Sequence, residues 1–247
     1  MQDALIHVIS ADLAVAYFIV ILAGIARGFT GFVAGLVNAA LLTFVYGPLE
    51  AIAISAVLGL VSSAMLLRKT YDHIKWSETI PLCIAVVVTV PLTAMALLVA
   101  DASTVKPAIG ALIAACGLAL ILGWRYTGPR NVVASAAVGA VAGGVYGFTG
   151  SGGPLMVFYY LASPESVAVQ RANIAVTASM MGIILIITLL AGNGISAETF
   201  IRAAVLIPGT MIGTWAGTRL FEIASQKIYS MVAQWSLVAI GLALILR

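Results

Sequence analysis

The chain has 247 residues, 62% of them hydrophobic and only 9% charged, with a formal net charge of +3. A soluble domain carries about 25% charged residues, so nine acids and twelve bases cannot cover a water-facing surface of this size. That excludes a soluble enzyme or soluble binding module. No basic stripe with interleaved aromatics points to nucleic acid.

Apolar runs recur from Ala11 to Leu246, so residues 1–247 read as a single all-α polytopic membrane domain. The N-terminus lacks the basic segment, short apolar core and small-residue cleavage site of a signal peptide, and the first run is expected to begin membrane insertion. A membrane helix needs about 20 apolar residues. Six runs meet that length: Pro48–Leu67, Thr79–Ala100, Pro107–Trp124, Ser166–Leu190, Phe200–Leu220 and Ile228–Leu246. Pro91 and Pro208 fall inside runs and are expected to kink their helices.

Two runs do not fit. Asp12–Tyr46 and Asn131–Ser163 are each too long for one crossing and too short for two comfortable ones. Each is cut near its middle by a glycine motif: Arg27-Gly28-Phe29-Thr30-Gly31 in the first, Gly147-Phe148-Thr149-Gly150-Ser151-Gly152-Gly153-Pro154 in the second. Broken backbone is tolerated at membrane depth only when packed in protein or lining a wet cavity. The expectation is a re-entrant hairpin in each run, about 15 residues in and 10–15 out, at 1.5 Å per residue across a ~30 Å core.

The chain also repeats in order. Phe29-Thr30-Gly31 returns as Phe148-Thr149-Gly150, Ser77-Glu78-Thr79 has a counterpart in Ala197-Glu198-Thr199, and Pro91 one in Pro208. Gly117-Leu118-Ala119-Leu120-Ile121-Leu122 returns as Gly241-Leu242-Ala243-Leu244-Ile245-Leu246. The halves are placed at 12–125 and 131–247. Each holds one broken or re-entrant hairpin plus three transmembrane helices, an odd number of crossings that would invert one half relative to the other, as in many secondary transporters. With the basic 68–75 loop and the 125–130 linker in the cytoplasm, eight bases fall inside and three outside, in keeping with the positive-inside rule.

The chemistry is read from what sits at the breaks. Arg27 lies inside a membrane run, where a buried arginine costs about 2.5 kcal/mol or more. It is either an anion ligand or a structural group tying down carbonyls that the break exposes. The limbs starting near Gly31 and Pro154 point helix N-termini at the midplane, which favours anions. In the second motif Gly150, Gly152 and Gly153 let backbone approach a ligand, with Thr149 and Ser151 as hydroxyl donors and Thr30 as the symmetric partner. The opposing reading is that the glycines serve tight helix packing. Gln170, Arg171 and nearby Asn173 are candidates to face the cavity from the cytoplasmic side, as is Asn38 from the first return limb. Ser55 and Tyr146 read as packing or interhelical residues, and Cys83 and Cys116 as inert packing thiols.

None of the nine acids and neither histidine falls securely in mid-span, so no proton relay, carboxylate cage, metal site or cofactor is expected. A serine hydrolase built on Ser151 would lack a base at membrane depth, so no catalytic residue is assigned. A positive, donor-rich midplane without acids calls for an anionic solute, and an inside-negative potential makes its export downhill.

The two glycine blocks, with Arg171-Ala172 after the second, resemble the signature of the TauE/SafE sulfite exporter family over nearly the whole chain. The resemblance implies a multi-pass protein of the bacterial inner membrane that exports sulfite, sulfoacetate or similar small sulfur-containing or organic anions. From the residues themselves, the substrate site is expected to draw on Arg27, Gly28, Phe29, Thr30, Gly31, Asn38, Phe148, Thr149, Gly150, Ser151, Gly152, Gly153, Gln170 and Arg171. The first block departs from the second: Phe32-Val33-Ala34 stands where the other has Ser151-Gly152-Gly153. The expected partners are a small anionic solute and the lipid bilayer, with a homodimer as an option. Two other readings remain at this point: coupled anion uptake, and a non-catalytic assembly or sensor subunit.

Overall fold

A computed structural model describes residues 11–30, 32–122, 124, 126–151 and 153–223. Gly31, Gly152, the Thr30 side chain and the run Ile228–Leu246 lie outside the described residues. The described chain is helical, with no strand among the described residues: α1 (Ala11–Thr30), α2 (Ala34–Tyr46), α3 (Pro48–Thr70), a 3-10 turn at Tyr71–His73, α4 (Trp76–Val99), α5 (Ala102–Ile121), α6 (Val132–Thr149), α7 (Gly153–Leu161), α8 (Val167–Ala191) and α9 (Ala197–Ile223).

Local chemistry sets these limits. Pro48 opens α3 at a position where its missing N–H costs nothing. Asn131 and Ser166 cap α6 and α8 by accepting from the N–H groups of Ala134 and Val169. Gly150 ends α6 in the left-handed region at φ 66°, donating its N–H to the Tyr146 carbonyl, a conformation that favours glycine. α4 and α9 run through Pro91 and Pro208.

Among the described residues, six helices are long and apolar enough to cross a membrane: Asp12–Phe29, Pro48–Arg68, Trp76–Val99, Val132–Thr149, Val167–Ala191 and Ala197–Leu220. Four match expected runs. The other two are the inward limbs of the broken runs, which are longer than expected: α1 has 20 residues and α6 has 18, against 13 in α2 and 9 in α7. The Pro107–Trp124 run falls on a helix that starts earlier, at Ala102. Large apolar side chains face outward along these helices; Phe18, Leu92, Met95 and Trp215 are all 60% or more exposed. An apolar exterior over a packed interior is the inverse of a soluble fold and suits hydrocarbon.

Three helix pairs build the body. α1 runs alongside α9, where Gly24 and Gly28 meet Gly213 and Gly217. An added Cβ at Gly28 would lie 2.1 Å from the Thr214 carbonyl oxygen, and one at Gly217 would lie 2.1 Å from that of Ile25. Contacts climb both helices together, so the pair is parallel. α6 runs parallel to α4 in the same way: Gly139, Gly143 and Gly147 lie in turn against Leu82, Val86 and Val90. Small residues at four-residue spacing let backbones approach this closely, the main source of helix association where no hydrophobic effect operates. α3 and α8 form the third pair and are antiparallel. The Lys75 N–H just after α3 donates to Asn173 near the start of α8 at 2.9 Å. At the other end, Pro48 and Glu50 share a groove with Asn193 and Ser196, just after α8.

Both broken runs double back. The Tyr159 hydroxyl, near the end of α7, bonds Ser135, near the start of α6, at 2.8 Å. The start of α1 and the end of α2 share a core cluster that includes Ala16, Val20 and Leu42.

Candidate functional site

The two breaks meet. Gly35, in the first turn of α2, faces the Gly150 carbonyl oxygen, which a Cβ there would approach to 3.9 Å. Around this point lies a cavity of about 40 Å³. Arg27 contributes from α1, Phe32, Gly35 and Leu36 from the first break and α2, and Ser55 and Gly59 from α3. Tyr146 reaches it from α6, Gly150, Ser151, Gly153, Pro154 and Met156 from the second break and α7, and Ala178 and Met181 from α8. Gly59 is the middle residue of α3, and Ala178 is one residue from the middle of α8. The cavity thus sits halfway along the antiparallel pair that spans the fold.

Each of its polar side chains, Arg27, Ser55, Tyr146 and Ser151, can donate a hydrogen bond. Arg27 is 4% exposed. One terminal nitrogen donates to the Ser63 hydroxyl, and its buried Nε has no hydrogen-bond partner among the described residues. The hydroxyls of Ser55 and Ser151 are also buried without a partner among the described residues. Buried polar groups are normally paired, so three groups around one cavity without a partner among the described residues single it out as the candidate site. No carboxylate lines it. Among the described residues, no group of three His, Cys, Asp or Glu side chains could hold a metal ion.

The other sequence candidates divide by what holds them. Arg171 donates to the Gly28 carbonyl at 3.0 Å from across the fold. Arg171 thus ties down one carbonyl beside the break, the role weighed above for Arg27, and its charge also suits a helix C-terminus. Gln170 donates to the carbonyls of Ser163 and Glu165 at 3.0 and 3.1 Å, in the turn before α8. Asn173 accepts from Lys75. None of these three lines the cavity. The Thr149 hydroxyl donates to the Val145 carbonyl at 2.7 Å and accepts from the Ser151 N–H at 3.2 Å. With the Gly150 N–H on Tyr146, two backbone donors that the break was expected to free are engaged. Gly28, Phe29 and Phe148 lie outside the lining, Gly28 against α9. Asn38 is buried, with its carbonyl oxygen unpaired among the described residues.

The sequence reading set Ser55 and Tyr146, which line the cavity, aside as packing residues and did not single out Ser63, which accepts from Arg27. The signal was present: Ser55, Gly59 and Ser63 repeat every four residues along α3 and form one polar, small-residue stripe.

The family model described as sulfite exporter TauE/SafE matches residues 16–244. The chain belongs to the TauE/SafE family. That membership, with the six crossing-length helices, makes it an integral membrane protein of a transporter family. No curated protein and no solved structure matches the chain.

Proposed function

We propose that this TauE/SafE member exports a small sulfur-containing or organic anion, sulfite first among them, from the bacterial cytoplasm through the Arg27 cavity. The observation that carries this reading is a buried guanidinium and two unpaired buried hydroxyls around one cavity without an acid. The first turns of α2 and α7 also face the cavity through Gly35, Gly153 and Pro154, and helix N-termini favour anions. Size narrows the class. A water needs about 10–15 Å³ of such space, so about 40 Å³ suits a compact oxyanion of a few heavy atoms better than an extended organic one. With the cell interior negative, each exported charge gains about 2.3 kcal/mol per 100 mV, so no coupled ion is required.

The transport cycle in this proposal is alternating access between inverted halves 12–125 and 131–247. Its support is packing that repeats with the halves exchanged. The α1 limb lies parallel to α9, the α6 limb lies parallel to α4, and α3 lies antiparallel to its counterpart α8.

The test is counterflow of sulfite, sulfate, sulfoacetate and small carboxylates in proteoliposomes at set voltage. Wild-type protein is expected to favour the compact oxyanions. Arg27→Ala is expected to reduce flux to the protein-free level while eluting as a monodisperse, folded species. Wild-type flux from that variant would remove Arg27 from the site and the proposal with it.

A further inference from the structure

Two ion clusters stand at opposite ends of α3. At one end, Lys75 reaches Glu78 at 2.8 Å and Glu165 at 2.7 Å, and Arg130 approaches Glu78 at 3.5 Å. Arg130 also sits over the Tyr159 ring at 4.6 Å and donates to the Tyr159 carbonyl. This cluster ties the starts of α4 and α6 to the turn before α8. At the other end, Arg202 of α9 binds Glu50 at the start of α3 at 2.8 Å and Glu198 at 2.5 Å, with Tyr46 under its guanidinium at 5.0 Å. This second cluster ties α9, the partner of α1, to α3.

The clusters match in kind. Each sets an acid from the first turn of one long helix, Glu78 or Glu198, and an acid at the start of another, Glu165 or Glu50, on shared bases. The 23 residues of α3 separate them by about 35 Å, more than the ~30 Å hydrocarbon core. The cavity lies midway, at Ser55 and Gly59.

We propose that the two clusters are the gates of the Arg27 cavity, one at each membrane face, and that both are shut here. This rests on the transport reading above. Four features favour it. One link in each cluster crosses between helix pairs, Lys75–Glu165 in the first and Arg202–Glu50 in the second, so rocking one pair against another breaks one crossing link and spares the other. Lys75 and Glu165 keep 38% and 33% of their side chains exposed, and pairs that wet part at small cost. With both clusters closed the cavity between them is small, as an occluded state requires. Neither cluster lines the cavity, which leaves them available to control access.

The experiment measures access without using transport. Ser151→Cys is made in a Cys83→Ser, Cys116→Ser background and labelled with a membrane-impermeant thiol reagent in inside-out and right-side-out vesicles. Glu165→Gln, alone or with Glu78→Gln, is expected to raise the labelling rate about fivefold from the Lys75 face only, the change that loss of a pin worth ~1 kcal/mol produces. Glu50→Gln is expected to do the same from the opposite face only. If the double variant fails to fold, the half-exposed Glu165→Gln carries that arm. Unchanged rates, or equal rises from both faces, would overturn the gates. Flux is read separately in protein with native Ser151, Cys83 and Cys116: unchanged labelling with intact flux there sinks the gates alone, and face-specific labelling with no anion flux there sinks the transport reading alone.

Discussion

Glycines in this chain do two different jobs, and one pair of substitutions separates them. Consider Gly147→Ala and Gly35→Ala. At Gly147 the new methyl would lie 2.2 Å from the Thr93 hydroxyl and 2.4 Å from the Val90 carbonyl oxygen. The second contact is backbone, so α4 and α6 must move apart. Overpacking of this kind costs ~3 kcal/mol at its upper end, and the helix-propensity gain of alanine over glycine returns at most ~1 kcal/mol. The net is a loss of ~2 kcal/mol, or several degrees in melting temperature. At Gly35 the nearest atom would be the Gly150 carbonyl oxygen at 3.9 Å, ordinary contact, so stability is expected to hold or rise slightly. That methyl, however, enters a cavity of about 40 Å³ and removes roughly the 10–15 Å³ that one water needs. Thermal unfolding in detergent and flux in proteoliposomes read the two effects. Gly147→Ala is expected to lose stability; Gly35→Ala is expected to keep stability and lose most flux of the larger accepted anions. Equal destabilisation by both, or wild-type flux from Gly35→Ala, would refute the division.

Two further outcomes test the supporting contacts. Arg171→Ala leaves the Gly28 carbonyl without its 3.0 Å donor and is expected to destabilise by ~1–3 kcal/mol. The measurement is thermal unfolding, with Arg171→Lys recovering part of the loss; an unchanged melting temperature would show that Arg171 does not hold the break. Lys75 has its pKa raised above the ordinary lysine value of 10.5, first by its hydrogen bond to Glu165 and then by that to Glu78. Because the folded value is raised, its stabilisation is complete below the ordinary value and disappears as pH climbs through the raised one. The stability gap between wild type and Lys75→Met is therefore expected to stay below ~1 kcal/mol, since the side chain is largely wet. It should be flat through neutral pH and close only in strong alkali. A gap that closes near neutrality would contradict this.

Much of this fold is legible in the sequence because its signals are compositional. Runs of crossing length and the two interruptions follow from apolar length and from Gly-rich breaks, and α3, α4, α8 and α9 lie where the runs place them. The lengths of α1 and α6 were not legible. Nothing local distinguishes the last turn of an inward limb from the start of a break when Gly28 and Gly147 are helical and packed. Their reason for being glycine lies in α9 and α4, far away in sequence. The site divides the same way. Arg27 stands out because arginine is rare in apolar runs. Ser55 and Ser63 do not, because a membrane serine more often bonds its own preceding turn, as Ser62 does with the Leu58 carbonyl. Arg171 could be placed at the first break only by tertiary contact, since it lies in α8 and reaches the Gly28 carbonyl across the fold.

The charge of Arg27 raises a question that its contacts do not answer. It is buried, its hydrogen-bond partner among the described residues is the neutral Ser63 hydroxyl, and no carboxylate among them lines its cavity. The acids of the two clusters bind their own bases near the ends of α3, a turn or more beyond the polar stripe. A buried cation without a counter-ion costs several kcal/mol, so a purely structural arginine here would be a net liability. The balance changes if an anion supplies the missing charge. Arg27→Met, similar in length but neutral, is then expected to melt higher than wild type without solute, by the equivalent of ~1–2 kcal/mol. Wild type is expected to gain ~2.7 kcal/mol when sulfite is present at a hundred times its dissociation constant, overtaking the variant, which gains nothing. A thermal-unfolding series against sulfite concentration, with chloride holding ionic strength, reads both curves. Arg27→Met melting below wild type without solute, or both proteins gaining equally from sulfite, would mean that the arginine's charge is compensated from within the fold, and the anion site would have to be sought elsewhere.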